Sequence, residues 1–117
     1  MPITLLGIAT ADGVSVCDHL ARSAAVVVFQ VENGAVISSS KRSRELDACG
    51  NHRSFVELLA GCRAVICGGI GQGAVEALAA HGIESIVLAA PLSIEDAAAG
   101  HLAGTLIRTD KRVCLCG

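Results

Sequence analysis

The sequence predicts an α/β fold on a mixed five-stranded sheet, with three antiparallel strands followed by two parallel strands reached through helical crossovers. Three observations carry this expectation. Short continuous apolar runs at Ile3–Ala9, Ala64–Cys67 and Ile83–Ala89 suit strands covered on both faces. Two strand-like runs, Ala24–Val31 and Ala35–Ser40, flank "ENG" (Glu32–Gly34), in which Asn-Gly supplies the positive φ angles of a tight hairpin turn. Helical apolar patterns then separate the later strands, so those strands must be joined by right-handed crossovers.

Each element has its own signal. "ITLLGIA" (Ile3–Ala9) is the first strand, ended by the turn residues "TADG" (Thr10–Gly13). "AAVVVFQV" is β-branched, and "AVISSS" returns beside it with one solvent-facing side. "SKRSRELDACG" (Ser40–Gly50) is the most polar segment and reads as a mobile loop. Asn51 is positioned to cap a first helix whose apolar face carries Phe55, Leu58, Leu59 and Cys62. After the fourth strand, "AVIC", comes "GGIGQG" and a second helix with Val75, Leu78 and Ala79 on one side, ending at Gly82. "SIED" (Ser93–Asp96) has the form of a capping box opening a third helix, with Ala97, Ala98 and Leu102 inward. The order is β-β-β-α-β-α-β-α. The segment from Arg108, "RTDKRVCLCG", reads as detached from the core.

Composition narrows the function. A chain of 117 residues at 52% hydrophobic and 17% charged is a single globular domain that buries roughly two-thirds of its unfolded surface. A net charge of −2 offers no basic excess for phosphates, and the absence of Trp and Tyr removes stacking platforms, so nucleic acid is excluded as a partner. No apolar stretch reaches the roughly 20 residues of a membrane span, and "MPITLLGIAT" lacks a basic leader. The expectation is a cytoplasmic protein with no membrane partner. In a reducing compartment the six cysteines (Cys17, Cys49, Cys62, Cys67, Cys114 and Cys116) are thiols, metal ligands or redox groups rather than structural disulfides.

The glycine turn carries the chemistry. Gly69, Gly71 and Gly73 give G-x-G-x-G, which is neither a dinucleotide fingerprint nor, without Lys-Ser/Thr, a phosphate loop. Two readings stand. The glycines make a tight turn with close helix–strand packing, or they bring backbone N–H groups to an anion at a helix N-terminus. Cys67, at the end of its strand, is likewise a buried small hydrophobe or a soft ligand. Ligands in open α/β sheets collect beyond the carboxyl ends of strands, where the loop after the first strand carries Cys17 and His19 and the loop after the fourth begins at Cys67.

Taken together, "VENGAVISS", "NHRSFVELLAGCRAVICGGIGQGAVEALAAHGIESI" and "SIEDAAAGHLAGTL" resemble the dinitrogenase iron–molybdenum cofactor biosynthesis family, small accessory and carrier domains of nitrogenase assembly. The resemblance runs from Ile3 to about Leu106. "HLARS" (His19–Ser23) stands where the family commonly has His-Phe-Gly-Arg-Ala, with Leu20 and Ala21 in place of Phe and Gly. The resemblance implies a ribonuclease-H-like three-layer α/β sandwich over residues 1–107, followed by a tail, 108–117, bearing Cys-x-Cys. It implies non-catalytic binding, carriage or insertion of an iron–molybdenum cofactor or another iron- or molybdenum–sulfur cluster in nitrogen fixation. The implied partners are cofactor-assembly or recipient metalloproteins. In that reading His19, Cys67 and Cys17 are the metal ligands. Gly68, Gly69 and Gly71 let the backbone approach the cluster, Arg22 offsets its charge, and His52 adds a second family-like histidine at a helix start.

Other residues read as structural. His81, before Gly82, is a helix C-terminal cation; His101 is an exposed helix residue; Cys62 is core. Whether Cys114 and Cys116 bridge one metal or belong to a loose tail stays open. Two-metal phosphodiester chemistry needs clustered carboxylates, and Asp12 stands alone beyond the first strand. A zinc or redox module lacks any C-x2-C pair. The remaining alternative is a regulatory or scaffold domain of this fold that binds no cluster.

Overall fold

The computed structural model describes residues 3–20, 23, 25–43, 59–106 and 113–114. The elements are β1 (Thr4–Thr10), β2 (Ala25–Glu32), β3 (Ala35–Ser43), β4 (Cys62–Cys67), β5 (Ile70–Gly71), α1 (Gln72–Ala80), β6 (Glu84–Val87), α2 (Ile94–Ala103) and β7 (Val113–Cys114). The expected helix opened by Asn51, with Phe55 and Leu58, lies outside the described residues, as do Cys49 and the polar loop beyond Ser43.

The main sheet has the order β3-β2-β1-β4-β6. The hairpin turns where the sequence placed it, with Asn33 at φ 54° and Gly34 at φ 76°. β2 pairs antiparallel with both β1 and β3, while β1–β4 and β4–β6 are parallel, as the crossovers required. The third strand runs to Ser43 rather than Ser40, because Lys41 and Arg42 keep their pairing with Val27 and Val26 at an exposed edge where polar residues are tolerated.

Strand alternation divides the core into two. Ala9, Val26, Val28, Val65 and Cys67 face the side covered by α1, which contributes Leu78. Leu6, Ile8, Ala64, Ile66 and Ile86 face the other side, against Ile94, Ala97 and Ala98 of α2. A helix on each face of one sheet makes three layers. Complete burial of each large aliphatic such as Ile66 contributes about 1.5–3 kcal/mol. Ala79 faces solvent and Leu102 is only half-buried, so both helices bury narrower stripes than their sequences suggested.

Cys62 departs from its expected helical position and begins β4, buried. Gly61, at φ +83°, ends the preceding turn and lets the chain extend. The β1–β4 register slips between Leu5 and Leu6, which face Cys62 and Ala64, so Arg63 is the extra residue of a bulge. That bulge reverses the alternation and puts Cys62 on the α1 side, opposite to Ala64.

α2 starts as the capping pattern predicts, with the Ser93 hydroxyl accepting from the Asp96 N–H at 3.1 Å, and ends at Gly104 in the left-handed region. Of the segment read as detached, the described residues Val113–Cys114 form β7, which pairs in parallel with β5 in a separate two-stranded sheet.

Candidate functional site

The site is built by the loop after β1 and the glycine turn after β4. Thr10 ends β1, and Asp12 shapes the loop beyond it: its Oδ1 accepts from the N–H groups of Val14 and Ser15, each at 2.8 Å. Those donors, Ser15 first, hold the Asp12 carboxyl below the usual carboxylate range. Asp12 is thus a loop staple. The loop is then pinned towards α2 by Val16 N–H to the Leu92 carbonyl at 3.0 Å and Ile94 N–H to the Val14 carbonyl at 2.9 Å.

On its other side the loop is pinned to the glycine turn. Gly68 donates its N–H to the Cys17 carbonyl and Leu20 donates to the Gly69 carbonyl, both at 2.8 Å. The approach is so close that a Cβ on Gly68 would lie 2.8 Å from the Asp18 Cα and 3.0 Å from the Cys17 carbonyl oxygen. Gly68 is therefore a close-packing glycine, and the space over it is filled by the chain itself. Buried Ser23 closes the loop, its hydroxyl donating to the Leu20 carbonyl at 2.6 Å, while the Leu20 side chain fills the core.

The sequence-predicted residues fall unequally. Cys17, His19, Cys67, Gly68, Gly69 and Gly71 do share the carboxyl-end side of β1 and β4, which are neighbours. His19 is half-buried and Asp18 exposed. The Cys17 thiol is buried and donates to the His19 carbonyl at 3.1 Å. Cys67 is completely buried, and burial pushes its thiol from an ordinary 9.0 up to about 12, so it is protonated at neutral pH. This is the environment of the small buried hydrophobe that "AVIC" also allowed. Arg22 and His52 lie outside the described residues. Among the described residues, no three His, Cys, Asp or Glu side chains gather as a metal site.

Beyond the strand ends lies a small cleft of about 30 Å³, lined by Val16, Asp18, Gly68, Leu88, Ala90 and Pro91. It is smaller than the roughly 300–1,000 Å³ typical of pockets that engulf a small molecule. A molecule of more than a few atoms fits on this junction only from outside. Elsewhere, His81 Nδ1 lies 3.0 Å from the Ala77 carbonyl, the helix-end role expected of it. His101 is half-buried rather than exposed and lines a different cavity with Arg63 and Glu84 at the opposite end of the sheet.

The arrangement defines a class: an α/β domain whose strand-end junction is made of main chain, with polar side chains at its margin. Within that class the family is shown. The family described as "Dinitrogenase iron-molybdenum cofactor" matches residues 3–104, and the chain belongs to it. That membership ties the protein to the iron–molybdenum cofactor of dinitrogenase. No curated protein matches the chain. Solved structures share its fold. The protein PH0822 superposes with a TM-score of 0.77 at 20% identity, covering 92% of this chain and 98% of that one. A protein provisionally described as a dinitrogenase from Methanocaldococcus jannaschii gives 0.72 at 13% identity, covering 94% and 98%. One provisionally described as a NifB protein from Thermotoga gives 0.67 at 20%, covering 90% and 92%. Among the described residues, no helix is long and apolar enough to cross a membrane.

Proposed function

We propose that this protein binds an iron–molybdenum cofactor, or a related metal–sulfur cluster, and carries it between cofactor-assembly and recipient metalloproteins in the cytoplasm, without catalysing a reaction. The observation that carries this reading is the family match over residues 3–104. The strand order β3-β2-β1-β4-β6 supports the ribonuclease-H-like description of the domain. The geometry supports a surface-held cargo: the junction beyond β1 and β4 is a shallow ledge, backed by the N-terminus of α1. Anionic clusters suit such a place, because main-chain N–H groups and a helix N-terminus favour negative charge. His19, half-buried at the margin, is the imidazole ligand in this reading. Cys17 and Cys67 support the ledge from beneath and ligate only if the cargo displaces their protons.

The test is anaerobic reconstitution with iron, molybdate and sulfide, followed by gel filtration, visible absorption and metal analysis. Cluster absorption and metal should elute with the parent protein and fall in His19→Ala, while His81→Ala retains them. If the parent elutes without metal, the domain is a scaffold that binds no cluster.

A further inference from the structure

The end of the sheet away from the ledge holds a second cavity. It opens at the amino ends of β1, β4 and β6, where Leu5 stands beside Cys62 and Ala64 beside Glu84. Its volume is about 70 Å³. A water-sized group takes roughly 10–15 Å³ of such space, so the cavity admits about five to seven heavy atoms. Leu6, Val31 and Leu102 give it apolar walls, while Arg63, Glu84 and His101 bring polar groups to it. Leu6 is buried, Arg63 and Glu84 are exposed and His101 is half-buried, so the apolar part is the floor and the charged part the mouth. Arg63 reaches this cavity because of the bulge. In regular alternation it would face away from Ala64; as the extra residue it lines the same cavity.

We propose that this cavity binds a small α-amino acid as its zwitterion, with the carboxylate on Arg63, the ammonium on Glu84 and the side chain against the apolar floor. Opposite charges at one mouth suit a ligand that carries both. The Arg63 guanidinium offers paired N–H donors, which match a carboxylate. The ammonium turns to Glu84 and to the carbonyl end of α2, whose last turn carries His101. Glu84 has a partner of its own, and a carboxylate accepts at about four lone-pair sites, which leaves room for an ammonium. The volume excludes large side chains, and glycine, alanine and serine are of the right size. A purely anionic ligand meets Glu84 and the helix carbonyls, and a purely cationic one meets Arg63, so each is disfavoured by half of the mouth. The inference stands apart from the cluster-binding reading, because the cavity and the glycine turn lie at opposite ends of β4.

The experiment titrates the full chain with L-alanine and follows backbone amide shifts by NMR. Propionate and ethylamine serve as probes that keep one pole each. Alanine should shift the amides of Arg63, Ala64, Glu84, His101 and Leu102 saturably, and propionate and ethylamine should bind about tenfold or more weakly. Arg63→Gln should bind alanine no better than the parent binds ethylamine, and Glu84→Gln no better than the parent binds propionate. Both side chains are exposed, and unchanged amide shifts elsewhere in the sheet check that the variants fold. No saturable shift at these amides in the parent overturns the site. Propionate or ethylamine binding as tightly as alanine, or undiminished alanine binding in either variant, overturns the two-pole recognition. Shifts confined to residues 68–71 put the ligand on the glycine turn and overturn the site as well. Retention or loss of a reconstituted cluster bears on the other reading alone.

Discussion

Substituting Gly68 by Ala tests whether the glycine turn is a packed junction. The added methyl would lie 2.8 Å from the Asp18 Cα, 3.0 Å from the Cys17 carbonyl oxygen and 3.2 Å from the Asp18 carbonyl oxygen. Carbon atoms sit comfortably at about 3.5–4.0 Å, so the loop must retreat by more than half an ångström. All three obstacles are main-chain atoms, and no rotamer change relieves them. The retreat stretches the Gly68–Cys17 hydrogen bond and its companion from Leu20 to Gly69, both 2.8 Å in the parent. Overpacking typically costs about 1–3 kcal/mol and each weakened bond about 0.5–1.5 kcal/mol, so a loss of about 3 kcal/mol is expected. At about 3–5 °C per kcal/mol for a domain of 117 residues, Tm should fall by roughly 10 °C or more in calorimetry. Gly82→Ala is the comparison. Gly82 has φ +75° and nothing within 4 Å of a built Cβ, so it suffers backbone strain alone, about 1 kcal/mol. If Gly68→Ala melts no lower than Gly82→Ala, the loop does not press on the turn and the packing argument is wrong.

Three further outcomes are expected. Cys67 has its thiol held near pH 12 against an ordinary 9.0, so the fold favours the protonated form. That contribution is complete below pH 9 and is lost as pH rises towards 12, on the order of 4 kcal/mol; Cys67→Ala should flatten alkaline unfolding curves at a neutral-pH cost of about 1 kcal/mol. Ser93→Ala removes the acceptor for the Asp96 N–H and should lower stability by about 1 kcal/mol in urea unfolding with an unchanged m-value. Asn33→Ala must place an ordinary side chain at φ 54° and should cost about 1 kcal/mol, whereas Asn33→Gly should be nearly neutral.

The sheet was legible because its signals are local. Asn33-Gly34 names its own turn, and an apolar run separated from the next by a helical pattern leaves parallel pairing as the only option. What resisted reading depends on contacts far apart in sequence. The bulge at Arg63 leaves no trace in composition, yet it moves Cys62 to the opposite face. The β5–β7 pair is two residues long, below the length at which any periodicity shows. Gly68 was readable as a turn, but the loop that fills the space above it arrives from Cys17 and Asp18. At Cys67 the run "AVIC" already suggested cover on both faces. The resemblance pointed to a ligand, and the structure gives the residue a core environment. Asp12 stands in the sequence as a solitary acid, and its neighbours "TADG" are the signal of the turn it staples.

The junction between Gly68 and Cys17 also fixes when in folding the site can exist. The Asn33-Gly34 hairpin joins neighbours in sequence and can close within microseconds, ahead of any long loop. The junction joins segments about fifty residues apart, and its hydrogen bonds need β1 and β4 already in register. It therefore forms after the hairpin. Pulse-labelled hydrogen exchange should show Gly68 and Leu20 protected after the β2–β3 amides, so a partly folded chain shows a sheet before it shows a binding ledge.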